Sequence, residues 1–241
     1  MSAAERDAWL AALGLVRWER RGAAVSPAGE IERVAGGEAG MARGVEVGRD
    51  VDPAGMDWFA LRACVADCTR CGLHRSRTQT VFGVGNPTAD WLIVGEAPGA
   101  EEDRRGEPFV GRAGRLLDAM LAAIGHSRES VFIANVLKCR PPDNRDPSAE
   151  EASACRAYLD RQVGLLAPRL ILAVGRIAAQ QLLETAAPLG RLRGKVHRHP
   201  RHDVPVVVTY HPAYLLRSPA DKARAWEDLL LAVRTAAGAS S

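Results

Sequence analysis

The 241-residue sequence has no apolar run long enough to cross a membrane. A membrane-spanning helix needs about 20 consecutive apolar residues, and no stretch here comes near that length. The N-terminus also lacks the form of a signal or transit peptide, because Glu5, Arg6 and Asp7 interrupt its alanine-rich stretch. We therefore expect a cytoplasmic protein with no membrane partner.

A strong net charge is missing as well. Arginine and lysine together number 32, aspartate and glutamate number 29, and the formal charge is +3. This mild basic excess permits a nucleic-acid partner, but it is more typical of an ordinary solvated surface. The basic residues are almost all arginine, which suits bidentate phosphate contacts. With 47% hydrophobic residues, the chain can bury one sizeable core.

The first 53 residues differ in pattern from the rest. Apolar residues recur at helical spacing in residues 4–18, namely Trp9, Leu10, Leu13 and Val16. From Gly22 to about Pro53 the chain is rich in glycine, alanine and charge without periodicity, which is typical of a linker. We predict an N-terminal extension over 1–53, with a short helix and a flexible linker, as a candidate for binding another protein. The main domain is predicted over 54–241.

Four short apolar runs alternate with helical patterns in the main domain. They are Trp91–Gly95, Val131–Leu137, Leu170–Val174 and Val204–Thr209. Such alternation favours a parallel sheet with helices on both faces. We predict an α/β fold of three layers, α/β/α, around a central, mainly parallel four-stranded sheet. No internal repeat is evident.

Polar and glycine-rich segments follow three of these runs. Gly95–Gly99 comes after the first, Asn135–Cys139 ends the second, and His211 with Pro212 follows the fourth. Ligands of open α/β sheets bind beyond the carboxyl ends of the strands. The placement predicts one shared site.

The five cysteines, Cys64, Cys68, Cys71, Cys139 and Cys155, suggest a metal centre. Disulfides are unusual inside cells, and a C-x2-C pair lets two thiolates face one centre. Cys139 and Cys155 could complete a four-thiolate set, whereas Cys64 suits a buried free thiol better. The second C-x2-C pair of a zinc ribbon is missing. The spacing of the cysteines is compatible with three interpretations: a zinc site, a four-iron cluster, or five ordinary buried cysteines.

Five segments together resemble the family 4 uracil-DNA glycosylases from about residue 58 to 235. They are Gly95–Gly99, Glu102–Asp103, Gly106–Gly111, Asn135–Pro142 and His211–Arg217. The resemblance implies the uracil-DNA glycosylase-like fold and makes the main domain catalytic. It implies a monofunctional, monomeric hydrolase that flips uracil out of single- or double-stranded DNA and breaks its N-glycosidic bond. The abasic site so formed starts base excision repair.

The resemblance also assigns the cysteines and the catalytic pair. It implies one structural 4Fe-4S cluster, with Cys64 left out; the ligands are Cys68, Cys71, Cys139 and Cys155. His211 is expected to donate toward uracil O2 as negative charge develops. Glu96 is expected to position the attacking water or to stabilise the cationic sugar.

Residues that bind uracil and DNA follow from the same resemblance. Phe109 would stack on the base and Asn135 would read its identity. Glu102 would lie near uracil C5, where bulk would exclude the methyl group of thymine. The full uracil-binding set is Gly95, Glu96, Ala97, Glu102, Phe109, Asn135 and His211. Leu215 is expected to enter the vacated base stack, and the expected phosphate contacts are Lys138, Arg140, Arg145 and Arg217.

Three other interpretations remain, and the first is another glycosylase of the same superfamily, either one with a broader range of deaminated bases or one that captures its target covalently. A glycosylase that captures its target covalently through an added histidine is disfavoured, because Gly106–Gly114 holds no basic, histidine-containing insertion. A non-catalytic DNA-binding module is disfavoured by the joint presence of Glu96, Asn135 and His211. A zinc-bound regulatory protein is the most distant of the three.

Overall fold

A computed structural model describes residues 52–238 of the chain. The predicted helix over 4–18 and the linker that follows it lie outside these residues, and the proposed boundary at residue 53 stays a prediction. Within the described range, no helix combines the length and the apolar character that crossing a bilayer requires.

The described chain forms one six-stranded sheet with the order β1-β3-β2-β4-β6-β5. The strands are β1 (Val84–Gly85), β2 (Trp91–Gly95), β3 (Phe132–Asn135), β4 (Leu170–Val174), β5 (Val196–Arg198) and β6 (Pro205–Thr209). The central four, β3, β2, β4 and β6, are parallel, while β1 and β5 pair antiparallel at the two edges. The predicted parallel sheet is confirmed, and the two short edge strands add to it.

Eight α-helices connect or flank the described strands. They are α1 (Trp58–Ala66), α2 (Ala100–Arg105), α3 (Arg112–Ala123), α4 (Ala149–Leu166), α5 (Arg176–Leu182), α6 (Leu189–Leu192), α7 (Pro212–Arg217) and α8 (Lys222–Gly238). The longest, α4, begins with a capping box in which Ser148 and Glu151 each accept the other's backbone N–H. That pairing satisfies amides that the first helical turn leaves without partners.

Two apolar clusters, one on each face of the sheet, make the fold three-layered. Alternate residues of a strand point to opposite faces, and in β2 Leu92 belongs to one cluster while Ile93 belongs to the other. Helices α1, α4 and α5 cover the first face, and α3, α7 and α8 cover the second. The four central strands are therefore buried on both sides, as expected for a parallel sheet. Their carboxyl ends and the following loops stay free to form a site.

Candidate active site

A cavity of about 520 Å³ opens at the carboxyl ends of the parallel strands. Six of the seven predicted uracil-binding residues line it: Glu96, Ala97, Glu102, Phe109, Asn135 and His211. The seventh, Gly95, is the last residue of β2 and pairs with Asn135 of β3. The fold thus gathers residues that end or follow the strands β2, β3 and β6, as the strand-end pattern predicts.

His211 is held in one orientation at the start of α7. Its Nδ1 accepts the backbone N–H of Ala213 at 3.1 Å, which makes the side chain the N-cap of this helix. Burial lowers the pKa of His211 to about 4, helped by the positive charge of Arg217 and opposed by Glu102. The ring is therefore neutral near pH 7, and because Nδ1 accepts, its proton sits on Nε2.

Glu96 follows β2 directly and is half-buried in the cavity wall. Burial raises the pKa of its carboxyl to about 7, and the negative charge of Asp146 raises it further, against the opposing charge of Arg176. Asp146 and Arg176 themselves form an ion pair at 2.6 Å. A carboxyl with such a pKa exchanges its proton near neutrality, which suits a catalytic acid or base.

Gly95 lets two of the lining side chains approach each other. A Cβ at this position would lie 2.4 Å from Oδ1 of Asn135 and 2.5 Å from Cζ of Phe109, too close for real atoms. The Phe109 ring also stacks against His211, with centroids 5.6 Å apart and planes inclined by 29°. An aromatic face, an amide and an imidazole therefore converge on one small volume.

The segment that carries Phe109 is held partly by Glu102. Oε1 of Glu102 accepts the backbone N–H of Val110 at 3.0 Å and that of Gly111 at 3.4 Å. Glu102 itself lies in the first turn of α2 and lines the cavity. Its carboxylate thus ties the floor of the cavity to the helix that follows β2.

Four cysteines line a second, smaller cavity. They are Cys68, Cys71, Cys139 and Cys155. All five cysteines of the chain are free thiols, and Cys64 lies outside this cavity, directed toward the hydroxyl of Tyr158 at 3.9 Å. No three Cys, His, Asp or Glu side chains among residues 52–238 are grouped closely enough to hold a single metal ion.

The sulfur atoms of this cysteine cavity have hydrogen-bond donors in place. Arg77 donates to Sγ of Cys139 at 3.2 Å, and the backbone N–H of Lys138 donates to Sγ of Cys155 at 3.3 Å. Burial raises the pKa of the Cys155 thiol to about 12 and also raises the pKa of Cys139. Such thiols stay protonated unless a positive centre binds them, while the donors favour a thiolate once it forms.

Comparison with known proteins assigns the chain to a family. The model of the uracil DNA glycosylase superfamily matches residues 82–230, which include every strand from β1 to β6. The chain belongs to this superfamily. The match covers all residues that line the larger cavity and leaves out Cys68 and Cys71.

Proteins named type-4 uracil-DNA glycosylase are similar to the chain over most of their own length. The protein of Archaeoglobus fulgidus is 48% identical over 161 residues, which are 64% of this chain and 81% of that protein. The protein of Pyrobaculum aerophilum is 45% identical over 182 residues, 73% of this chain and 93% of that protein. The protein of Sulfurisphaera tokodaii is 44% identical over 162 residues, 64% and 74% of the two chains. Within the superfamily, the chain therefore belongs with the type-4 proteins.

One predicted phosphate contact of this type-4 chain is wrong. Lys138 is only 1% exposed, and its ammonium donates to the backbone oxygen of Asn135 at 2.8 Å and to Oε1 of Gln162 at 2.6 Å. Burial lowers the pKa of Lys138 to about 8. A side chain buried in the core and bonded there does not reach DNA, so Lys138 braces the end of β3 instead.

The prediction that Leu215 enters the base stack stays a prediction, and in the described structure this side chain faces the core. Leu215 is 1% exposed and belongs to the same apolar cluster as Leu117 of α3 and Leu229 of α8. Its neighbours Tyr214 and Leu216 are the exposed apolar residues of α7, at 37% and 36%. The helix thus turns one leucine inward and presents the residues on either side of it to solvent.

Of the other three predicted phosphate contacts, two remain accessible to solvent and the third is paired with a glutamate. Arg217 is exposed at the rim of the larger cavity. Arg140 is half-buried, and its Nε donates to Asn144 at 2.8 Å. Arg145 also lines the cavity, but it pairs with Glu151 through two hydrogen bonds.

Sequence reasoning missed two residues that shape the cavity. Asp146 follows Arg145 in a proline-rich loop, and its only signal was an acidic residue beside the predicted phosphate contacts. Tyr214 lines the cavity with a ring stacked on Tyr210, at 5.1 Å between centroids. Its hydroxyl donates to Asp221 at 2.7 Å, which fixes the ring at the cavity mouth. An exposed tyrosine in the His211–Arg217 segment was the available signal.

Proposed function

We propose that this chain is a uracil-DNA glycosylase that extrudes uracil from DNA and hydrolyses its bond to deoxyribose. The names of its type-4 relatives support this assignment. The observation that carries it is the meeting of a neutral, oriented His211, a proton-exchanging Glu96 and the amide of Asn135 in one cavity. The product, an abasic site, would start base excision repair.

Recognition of uracil would rest on Asn135 and Phe109. The amide of Asn135 can accept from uracil N3–H and donate to O4, whereas cytosine presents the opposite pattern. Phe109 would stack on the extruded base and contribute on the order of 1 to 3 kcal/mol without reading its identity. That stacking would offset part of the few kcal/mol that unstacking costs. The tight approach of both side chains at Gly95 leaves them little freedom to reorient.

His211 would stabilise the departing base. Cleavage of the glycosidic bond places negative charge on uracil, and a donor already aimed at O2 lowers the barrier. Because the backbone N–H of Ala213 occupies Nδ1, the remaining donor is Nε2–H. A neutral imidazole can act in this way without first taking up a proton, as its low pKa requires.

Glu96 would act on the sugar side of the bond. Once ionised, its carboxylate can stabilise positive charge on deoxyribose or orient the attacking water. The pKa near 7 means that this form is well populated at and above neutral pH. The ion pair of Asp146 and Arg176 beside it would set the local field.

Contacts with the DNA strand would come from the rim of the cavity. Arg217 and Arg140 are the candidates for phosphate, and such contacts make binding sensitive to salt and largely independent of sequence. Tyr214 offers a fixed aromatic ring for a neighbouring base, and Leu216 is the exposed leucine that can enter the vacated stack. Leu216 is preferred to Leu215 for entering the stack because Leu215 is buried.

We further propose that the cysteine cavity holds one structural 4Fe-4S cluster. Two thiolates on one tetrahedral zinc ion lie about 3.8 Å apart, given a Zn–S distance of about 2.3 Å. The described cysteines are not grouped closely enough for a single ion, yet all four line one cavity, which favours a larger group. When bound, the cluster would cross-link the segment before β1 to β3 and α4, and it would supply no redox step. Arg77 would hold Cys139 toward it.

Base removal tests the glycosylase assignment. The purified protein is incubated with uracil-containing oligonucleotides, and alkali then cleaves any abasic site. We expect cleavage at the uracil, a loss of roughly 100- to 1000-fold for His211→Ala, and full activity for His197→Ala. His197 is a matched control because it bonds the backbone of Leu192 at 2.8 Å and does not line the cavity. No cleavage of single-stranded or U:G substrates would overturn the proposal.

Absorption and metal content test the cluster. The protein should be brown and contain iron, with a broad absorption band at about 400 nm that is typical of iron-thiolate charge transfer. Cys155→Ser should lose the band, while Cys64→Ser, a matched change at a buried cysteine outside the cavity, should keep it. A colourless protein with stoichiometric zinc would contradict the proposal.

A further inference from the structure

Phe109 has an unusual backbone conformation for its position in the cavity. Its φ is +55°, in the left-handed region that residues with a Cβ rarely adopt. The surrounding fold must therefore hold the residue in place, and such conformations cluster where a site needs a fixed geometry. On one side of the turn formed by residues 108–111, Glu102 accepts hydrogen bonds from the backbone N–H groups of Val110 and Gly111.

The carbonyl side of the same turn is packed against α3. A Cβ on Gly114 would lie 1.7 Å from the carbonyl oxygen of Phe109, so only glycine permits this approach. The carbonyls of Pro108 and Phe109 both point toward the segment that joins α3 to β3. They meet a single side chain there.

That side chain is Arg128. Its Nη1 donates to the carbonyl of Phe109 at 3.1 Å, and its Nη2 donates to the carbonyl of Pro108 at 2.6 Å. Asp118 of α3 pairs with the same guanidinium at 2.9 Å and orients it. Arg128 does not line the cavity, so it can act on a bound base only through Phe109.

We infer that Arg128 is a positioning residue that fixes the Phe109 ring for base stacking. The inference rests on the proposed function for its consequence in catalysis, but the clamp itself is a property of the fold. A planar guanidinium donates to two carbonyls at once in a rigid fork, and an ammonium cannot reproduce that geometry. Arg128→Lys therefore keeps the charge and the pairing with Asp118 while it removes the fork.

Hydrogen exchange of the turn amides tests the clamp without reference to activity. The amides of Val110 and Gly111 exchange only when the turn opens. Arg128→Lys should speed their exchange by roughly 10-fold, the effect of losing about one hydrogen bond. The matched control is Arg156→Lys, because Arg156 pairs with Glu184 at 2.8 Å away from the cavity. It should leave these two amides unchanged.

Steady-state kinetics test the consequence for catalysis. A misplacement of about 1 Å can cost about 100-fold, so Arg128→Lys should lower kcat/KM on uracil-containing DNA by roughly 10- to 100-fold. In a Phe109→Ala background the same change should cost less than about 2-fold, because the ring it positions is gone. A purely structural role would instead give the same loss in both backgrounds.

Faster exchange together with a kinetic loss that vanishes without Phe109 supports the inference. Unchanged exchange at Val110 and Gly111, or an equal kinetic loss in both backgrounds, overturns it. If Arg128→Lys does not accumulate as folded protein, Asp118→Asn gives the same readout by releasing the guanidinium. A wild-type protein that removes no uracil overturns the proposed function, and exchange still decides the clamp.

Discussion

Glu96 should lose its proton around neutral pH, and activity should follow that loss. Burial raises the pKa of this carboxyl to about 7, with Asp146 adding to the effect and Arg176 opposing it. The carboxylate is the form that can stabilise a cationic sugar or orient water. Catalysis should therefore rise with pH as Glu96 ionises.

The size of the rise follows from the pKa. With a pKa of about 7, roughly a tenth of the protein carries ionised Glu96 at pH 6 and roughly nine-tenths at pH 8. We expect kcat/KM to increase about 10-fold over this interval. His211 adds no slope, because its lowered pKa of about 4 keeps it neutral throughout.

The assay is initial-rate uracil excision between pH 5.5 and about 8.5 at constant ionic strength, since salt alone changes DNA binding. Glu96→Gln keeps the size of the side chain but cannot ionise. It should lower kcat/KM by roughly 100-fold and flatten the profile. A wild-type profile that is flat between pH 6 and about 8, or a Glu96→Gln variant that keeps the slope, would refute this account of Glu96.

Two further predictions concern space and burial. Gly95→Ala should lower kcat/KM by roughly 100-fold, because its Cβ would lie 2.4 Å from the Asn135 amide. The control in the same excision assay is Gly55→Ala, since a Cβ at Gly55 meets nothing within 4 Å. Equal activities of the two variants would refute the prediction. Leu216→Ala should reduce uracil excision from duplex DNA more than from single-stranded DNA, and it should not lower Tm. Leu215→Ala should instead lower the free energy of unfolding by about 2 to 5 kcal/mol, as measured by thermal denaturation. The reverse pattern would assign the wedge to Leu215.

The central sheet could be predicted because its strands are continuous apolar runs. Trp91–Gly95 and Leu170–Val174 are buried along their whole length, and the structure has the same bounds. The edge strands carry no such signal. Val84–Gly85 is two residues long, and Val196–Arg198 alternates between exposed and half-buried positions. Pairing with a neighbour, which the local sequence does not encode, makes them strands.

The location of the site could be predicted, but the directions of individual side chains could not. The strand-end rule and the family resemblance both predict that Glu96, Asn135 and His211 share one site, and the three side chains line one cavity. Lys138 was misassigned although it stands in a mostly apolar run, residues 131–139, that is buried throughout. A lone lysine in such a run is itself a signal of burial.

Two other features lie beyond any local pattern. Leu215 and Leu216 are adjacent in a six-residue helix, which is too short for periodicity to show which one faces inward. Arg128 bonds carbonyls 19 and 20 residues before it in the chain. Such a contact depends on how α3 packs, so only the three-dimensional structure reveals it.

The central claim is that the cavity removes uracil and rejects the other pyrimidines. Its most direct test is chromatography of the free base released from matched oligonucleotides that carry uracil, thymine or cytosine at one position. We predict one uracil per site and neither thymine nor cytosine. No release of uracil, or release of cytosine or thymine at a comparable rate, would contradict the account.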